Sequence, residues 1–263
     1  MEVYPIAADS IGTRSMATLV KADCNVFIDP GVSLGPWRYG LPPHPVELQR
    51  MEEHWEVIKK FAGKADVLIV THYHYDHHDP REPGIYEGKT LLTKHPTENI
   101  NYSQKRRAKY FLRELEGKPK EIEYSDGREF SFKGTRIKFS EPVFHGTNSR
   151  LGYVTEVAIT DGDFTFLFTS DVEGPSIGEQ VKFILQEDPN IIYLDGPLSY
   201  MLGYRYSMKS LRASVKNIIK VLRETKVEKF IVDHHLLRDL EWRKRMSDIF
   251  ETAEKLDKEI LTA

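Results

Sequence analysis

The chain of 263 residues is 40% hydrophobic and 29% charged, the balance of a globular protein with volume for a sizeable core. A formal charge of −3 removes any global electrostatic case for binding nucleic acid or a membrane, leaving room only for a local basic patch. The single cysteine, Cys24, excludes an internal disulfide framework and a cysteine-based zinc site, and fits a reducing, cytoplasmic setting.

The opening MEVYPIAADSIGTRS lacks a basic segment followed by a long apolar run, so no signal peptide is expected, and no apolar run approaches membrane-spanning length. VYPIAAD and ATLVKADCNVFIDPG read as two or three strands that end at Asp29-Pro30-Gly31. A Gly/Pro-rich loop from Gly31 to Pro45 leads to a helix that closes near Gly63. Leu48, Met51, Trp55 and Ile58 recur there at steps of three and four, which predicts one buried face. ADVLIV is continuously apolar and predicts a fully buried strand; KTLLT predicts another, and Asn99 to Leu115 a helix. REFSF and TRIKFS suggest paired strands, and YVTEVAI with FTFLFTSD a hairpin about Asp161-Gly162. A short helix ending before Pro189, the strand NIIYLDG, a helix from Ser207 to Thr225, a last strand KFIVDHH and a terminal helix from Arg238 to Lys258 complete the reading. Without a linker or a repeat, residues 1–263 read as one domain, and the order of elements suggests two packed mixed sheets with helices on their outer faces.

The chemistry concentrates in THYHYDHHDP, residues 71–80, where four of the 10 histidines follow directly on the strand ADVLIV. His72, His74, Asp76 and His77 spell H-x-H-x-D-H. In an extended segment residues i and i+2 share a side, so His72 and His74 can converge on one ion, while Asp76 and His77 reach a second as the chain turns. Such a loop is half a site. His145, Asp171 and the pair His234-His235 each follow an apolar run and supply candidates for the rest.

These residues, in this order, resemble the metallo-β-lactamase superfamily of metal-dependent hydrolases, over the span from Asp29 to His235. HYHYDHHDP, NINYSQKRRAKYF, YLDGPLSY and VDHHLLRD are similar to a narrower branch of predicted hydrolases known mainly from archaea and thermophiles. The resemblance implies an α+β fold, the αββα four-layer sandwich, with a dinuclear site. His72, His74 and His145 would hold one metal, Asp76, His77 and His234 the other, and Asp171 would bridge them. Asp29 would support ligands from behind. His234 rather than His235 is the expected last ligand, since the adjacent residue points to the other side of an extended chain.

Imidazole and carboxylate donors suit two divalent ions, zinc first, with manganese or iron as alternatives. Two such ions about 3.5–4 Å apart would share a water, lower its pKa toward ~7 and direct the hydroxide at an ester or phosphodiester-type bond, with Asp76 as proton acceptor. The substrate class this suggests is a small molecule or a nucleotide or RNA. No DNA-binding module is visible. A metal-binding protein with a regulatory or structural role and little catalysis is the alternative. The superfamily's diiron redox branch fits less well, because it places Glu where His74 stands and adds a flavin domain. The interval from Asp171 to His234 is too short for the cap domain of its RNA-processing branch.

Other features read more plainly. His78 and Asp79 suit supporting or solvent roles, and His54 a surface or packing one. Lys105, Lys109 and Arg113 form a basic stripe opposite Ala108, Phe111, Leu112 and Leu115, the pattern of a solvated amphipathic helix, with contact to a phosphate-rich substrate such as RNA or a nucleotide as the other reading. Asp195 to Ser207 is either a lid whose Tyr204, Arg205 or Tyr206 meets substrate or a packed connection.

Overall fold

Apolar runs bounded by Gly, Pro and Asp form strands at most of the expected places in the computed structural model, which describes residues 1–35, 37 and 40–263. Pro36, Arg38 and Tyr39, inside the expected loop from Gly31 to Pro45, lie outside the described residues. The chain divides into two compact units, Met1–Asp126 with Phe132–Thr135, and Gly127–Ser131 with Arg136–Ala263.

The first unit runs β1 (Glu2–Pro5), β2 (Thr18–Lys21), β3 (Val26–Ile28), α1 (Pro45–Ala62), β4 (Val67–Val70), β5 (Thr90–Thr93), α2 (Tyr102–Glu114) and β6 (Glu121–Tyr124). Its six strands pair in chain order, β1 to β3 antiparallel and β3 to β6 parallel. Parallel neighbours need a crossover; α1 links β3 to β4 and α2 links β5 to β6. The β4–β5 crossover has no α-helix. It is the histidine-rich segment itself.

His44 caps α1 and Glu47 reaches back to the His44 amide at 2.8 Å, with Pro45 at the first helical position. The expected buried face is turned. His54, Ile58 and Ala62 are buried, whereas Leu48 is 42% exposed and Met51 and Trp55 are half-buried. His54 can go inward because a ring nitrogen meets the Thr13 hydroxyl at 2.6 Å. Trp55 keeps its edge outward to donate to Glu82 at 2.9 Å. On α2 the expectation holds: Ala108 and Phe111 are buried with Leu115, and Lys105, Lys109 and Arg113 are exposed.

The second unit follows with β7 (Glu129–Phe132) and β8 (Thr135–Phe139), a hairpin whose tip belongs to the first unit, then β9 (Val143–Phe144), β10 (Tyr153–Val154), β11 (Val157–Asp161), β12 (Phe164–Phe168), α3 (Glu179–Glu187), β13 (Ile191–Asp195), α4 (Met208–Glu224), β14 (Lys229–Asp233), α5 (Trp242–Arg245), α6 (Ser247–Lys255) and β15 (Glu259–Leu261). Seven strands form a mixed sheet in the order β15-β14-β13-β12-β11-β8-β7, and β9 pairs with β10. Leu167, Ile192, Leu194, Phe230 and Val232 share a core with Ile184 of α3, Ile218 and Leu222 of α4, and Ile249 of α6.

Two expectations are corrected here. YVTEVAI is not one strand: the chain changes partner at Thr155-Glu156, where Ser140 exchanges two hydrogen bonds with the Glu156 backbone, of 3.0 and 2.9 Å. The terminal helix is broken. Asp239 accepts from Ser199 and Arg245, both at 2.6 Å, holding a turn ahead of α5, and β15 rather than KFIVD is the last strand.

Strands β12 to β15 are parallel, so β12, β13 and β14 end at one edge of the sheet. Asp171 follows β12 by three residues, Asp195 closes β13, and His234 follows β14 directly. The carboxyl edge of a parallel sheet is where open α/β sheets bind ligands.

Candidate functional site

In the first unit the H-x-H-x-D-H run leaves β4 with alternating sides, as expected. His72 is fully buried and His74 half-buried, with ring centres 4.7 Å apart. Tyr73 turns the other way, into the core, where its hydroxyl donates to the Lys94 carbonyl. The backbone then folds over, His77 N–H donating to His74 O at 3.0 Å, which brings the His77 ring to 4.2 Å from that of His72.

Asp29, at the end of β3, fixes this geometry. Its buried carboxylate accepts from the Thr71 amide at 2.7 Å, the Thr71 hydroxyl at 2.6 Å and Nδ1 of His77 at 2.8 Å. Burial raises the Asp29 carboxyl above its usual range, against the pull of His77 and Thr71. The bond at Nδ1 leaves the lone pair of His77 on Nε2, the tautomer a metal ligand uses. Asp29, His72 and His77 place one donor atom each within 4.8 Å of one another. Asp76 is half-buried beside them in sequence.

Gly31 lets the two loops touch. A Cβ there would lie 2.2 Å from the His78 amide nitrogen. His78 packs its ring 4.6 Å from Phe111, Nδ1 donates to the His74 carbonyl at 2.9 Å, and burial lowers its pKa to about 4. It is a neutral brace for the loop. Asp79 accepts from the Arg81 amide at 2.8 Å and its guanidinium at 2.6 Å, closing the turn.

The second unit assembles its own cluster. Asp171 is 1% exposed, and its two oxygens meet different rings, Oδ2 at 3.2 Å from His145 Nε2 and Oδ1 at 3.3 Å from His234 Nε2. Burial alone would lower the pKa of His145, yet Asp171, Glu173 and Asp195 together raise it. His234 adopts φ 60°, a left-handed turn that separates it from its neighbour. His235 sends Nδ1 to both oxygens of Asp195 at 3.0 Å. The two histidines therefore have different partners.

Asp195 and Glu173 were not expected at the site, nor was His235 in this supporting role. Asp195 accepts from the amides of Glu173 at 2.7 Å and His235 at 3.1 Å, and burial raises its carboxyl well above the usual range. In the sequence Asp195 reads only as the end of a strand running into a turn. Glu173 brings Oε1 to 3.6 Å from His145 Nδ1, and Gly146 leaves the space it occupies, since a Cβ would stand 2.3 Å from Glu173 Oε2. The buried imidazole and carboxylate sets of each unit have the donor chemistry of divalent transition-metal sites.

Two mixed sheets with their helices, and histidine and aspartate clusters at the strand ends, define a protein of the metallo-β-lactamase fold. Solved structures with that fold match nearly the whole chain. Igni18, a metallo hydrolase from Ignicoccus hospitalis, is 15% identical with a TM-score of 0.51, covering 95% of this chain and 92% of that one. Yeast PDE1 is 15% identical with a TM-score of 0.54 over 99% and 96%. CmlA, a diiron β-hydroxylase from Streptomyces venezuelae, is 12% identical with a TM-score of 0.57; the match covers 99% of this chain and 52% of that one.

The chain belongs to the UPF0282 family. A UPF0282 protein of Korarchaeum cryptofilum is 55% identical across 100% of this chain and 88% of its own length, and one of Metallosphaera sedula is 50% identical across 100% and 86%. No protein-family model matches the sequence. No helix among the described residues is long and apolar enough to cross a membrane.

Proposed function

We propose that this protein is a metal-dependent hydrolase of ester or phosphodiester-type bonds. In this reading His72, His74 and His145 hold one divalent ion, zinc first among the candidates, Asp76, His77 and His234 hold a second, and Asp171 bridges. The observation that carries the proposal is the Asp171 carboxylate, with one oxygen toward His145 and the other toward His234, the disposition a bridging ligand needs.

When bound, such ions supply a nucleophile at neutral pH and polarise the scissile bond. The chain's residues do the rest. Asp29 holds the His77 tautomer, and His78 braces the turn between His74 and His77. Asp76, half-buried, accepts the proton released from the nucleophile. The substrate is a small molecule or a nucleotide or RNA, and the exposed cations of α2 favour a phosphodiester. A cytoplasmic setting accords with Cys24, buried, with its thiol pushed up to about 11 and so inert.

Elemental analysis of the purified protein, with a hydrolysis screen of aryl esters and aryl phosphodiesters in Zn²⁺ and Mn²⁺, tests this reading. We expect about two ions per chain and turnover that His74→Ala and Asp76→Ala abolish without loss of fold. A chain that binds metal but hydrolyses nothing would move the protein to a metal-binding regulatory role.

A further inference from the structure

The segment from Asp195 to Ser207 ends in a tight turn. Gly203 takes φ 83° and donates to the Tyr206 carbonyl at 2.9 Å, while the Arg205 amide donates to Met201 at 3.0 Å. Tyr206 is 2% exposed and packs with Leu198 and Leu211, which anchors the turn. Tyr204 and Arg205 are thereby held outward, and Tyr204 is 84% exposed. Both line a cavity of about 160 Å³ in the second unit, together with His145, Thr147, Arg150 and Glu173. The backbone at Arg150 is held by its own loop, the amide donating to Asn148 Oδ1 at 2.9 Å.

We propose that this cavity is the recognition subsite for a phosphoryl group of the substrate, with Arg205 and Arg150 as its cationic walls. The inference rests on the hydrolase reading above, because it is His145, a proposed ligand, that lines the cavity's inner end. Size argues for a small group. Pockets for drug-sized ligands run to roughly 300–1,000 Å³, so this one suits a small group such as a phosphate rather than a sugar chain. Charge argues for an anion: among the lining residues two arginines stand against one carboxylate, that of Glu173, which is itself turned to His145. Shape argues for a tetrahedral one. Two arginines brought by separate loops, with Thr147 and Tyr204 also on the lining, suit an oxyanion with acceptors in several directions better than a planar carboxylate, which a single arginine satisfies.

Calorimetric titration of the metal-loaded full chain with inorganic phosphate, and with acetate as the carboxylate probe, tests the subsite, metal content being measured separately for each variant. Arg205→Ala and Arg150→Gln should each weaken phosphate binding by about tenfold or more. Arg212→Ala, on the exposed side of α4, should leave it unchanged. Phosphate affinity that is absent in the wild type, or equal in wild type, Arg205→Ala and Arg150→Gln, overturns the proposal. So does acetate binding as tightly as phosphate with the same dependence on both arginines. If the chain holds no metal yet phosphate binding still depends on the arginines, the hydrolase reading fails and the subsite stands. If the chain is metal-loaded and its phosphate affinity ignores both arginines, the subsite fails and the hydrolase reading stands.

Discussion

The two units build their clusters of candidate ligands in opposite ways. The first packs four candidates into one crossover, His72 to His77, with Asp29 and His78 behind them. The second gathers His145, Asp171 and His234 from three separated strand ends and supports them with a second layer, Glu173 and the Asp195–His235 pair. A contiguous loop gets its geometry from local backbone, through one turn and one brace. A dispersed cluster gets it from sheet register, so its accuracy depends on the parallel ladder of β12, β13 and β14. The first kind of site is vulnerable at its loop, the second at its carboxylates.

The sharpest way to break the comparison is to remove a ligand from each side. His72→Ala and Asp171→Ala should both lower hydrolysis by at least about a thousandfold, since metal catalysis is worth several kcal/mol. Steady-state kinetics with metal analysis would read the loss, and a variant that keeps its activity would remove that residue from the site. Next come the supporting carboxylates. Asp29→Asn and Asp195→Asn should each cost about 10–100-fold in metal affinity, measured by competition with a chelator. An effect at Asp29 alone would show the second unit's layer to be packing.

The loop itself is tested at glycine. Gly31→Ala places a Cβ at 2.2 Å from a backbone nitrogen and should destabilise by about 3 kcal/mol or more. Gly162→Ala meets nothing within 4 Å and carries only the left-handed strain of about 1–2 kcal/mol. Urea denaturation of both gives the ratio.

A pH-dependent effect concerns Glu156, fully buried, its carboxyl raised well above the usual range by burial. A carboxyl whose folded pKa exceeds its unfolded one binds more protons when folded. Its contribution is therefore present below about pH 4.3 and is lost as pH rises toward the folded pKa, at about 1.4 kcal/mol for each pH unit crossed between the two. Glu156→Gln should flatten that slope above about pH 4.3; an unchanged slope would mean that other groups set it.

Much of this is legible in the sequence because the first unit's cluster is local. Alternation of His72 and His74 against Tyr73 is a period-2 pattern, and strand ends mark themselves by an apolar run meeting a polar residue. The same rule finds Asp171 and His234. It passes over Asp195, because YLDG reads as a strand running into a turn, and over Glu173, because nothing local distinguishes it from its neighbours in SDVEGPS. The breaks at Thr155-Glu156 and at Asp239 depend on hydrogen bonds with Ser140, Ser199 and Arg245, two of them well removed along the chain. The rotated face of α1 has the same origin. His54 faces inward because of Thr13, 41 positions away.

Asp29 also prolongs a sheet. Its own amide donates to the Ile69 carbonyl at 2.8 Å, and its side chain then meets the Thr71 amide one step further along, so a carboxylate takes the place of the next backbone rung between β3 and β4. Damage at this residue would therefore announce itself as fraying: the Thr71 amide, now sealed from solvent, would exchange its hydrogen freely while the amides deeper in β4 kept theirs.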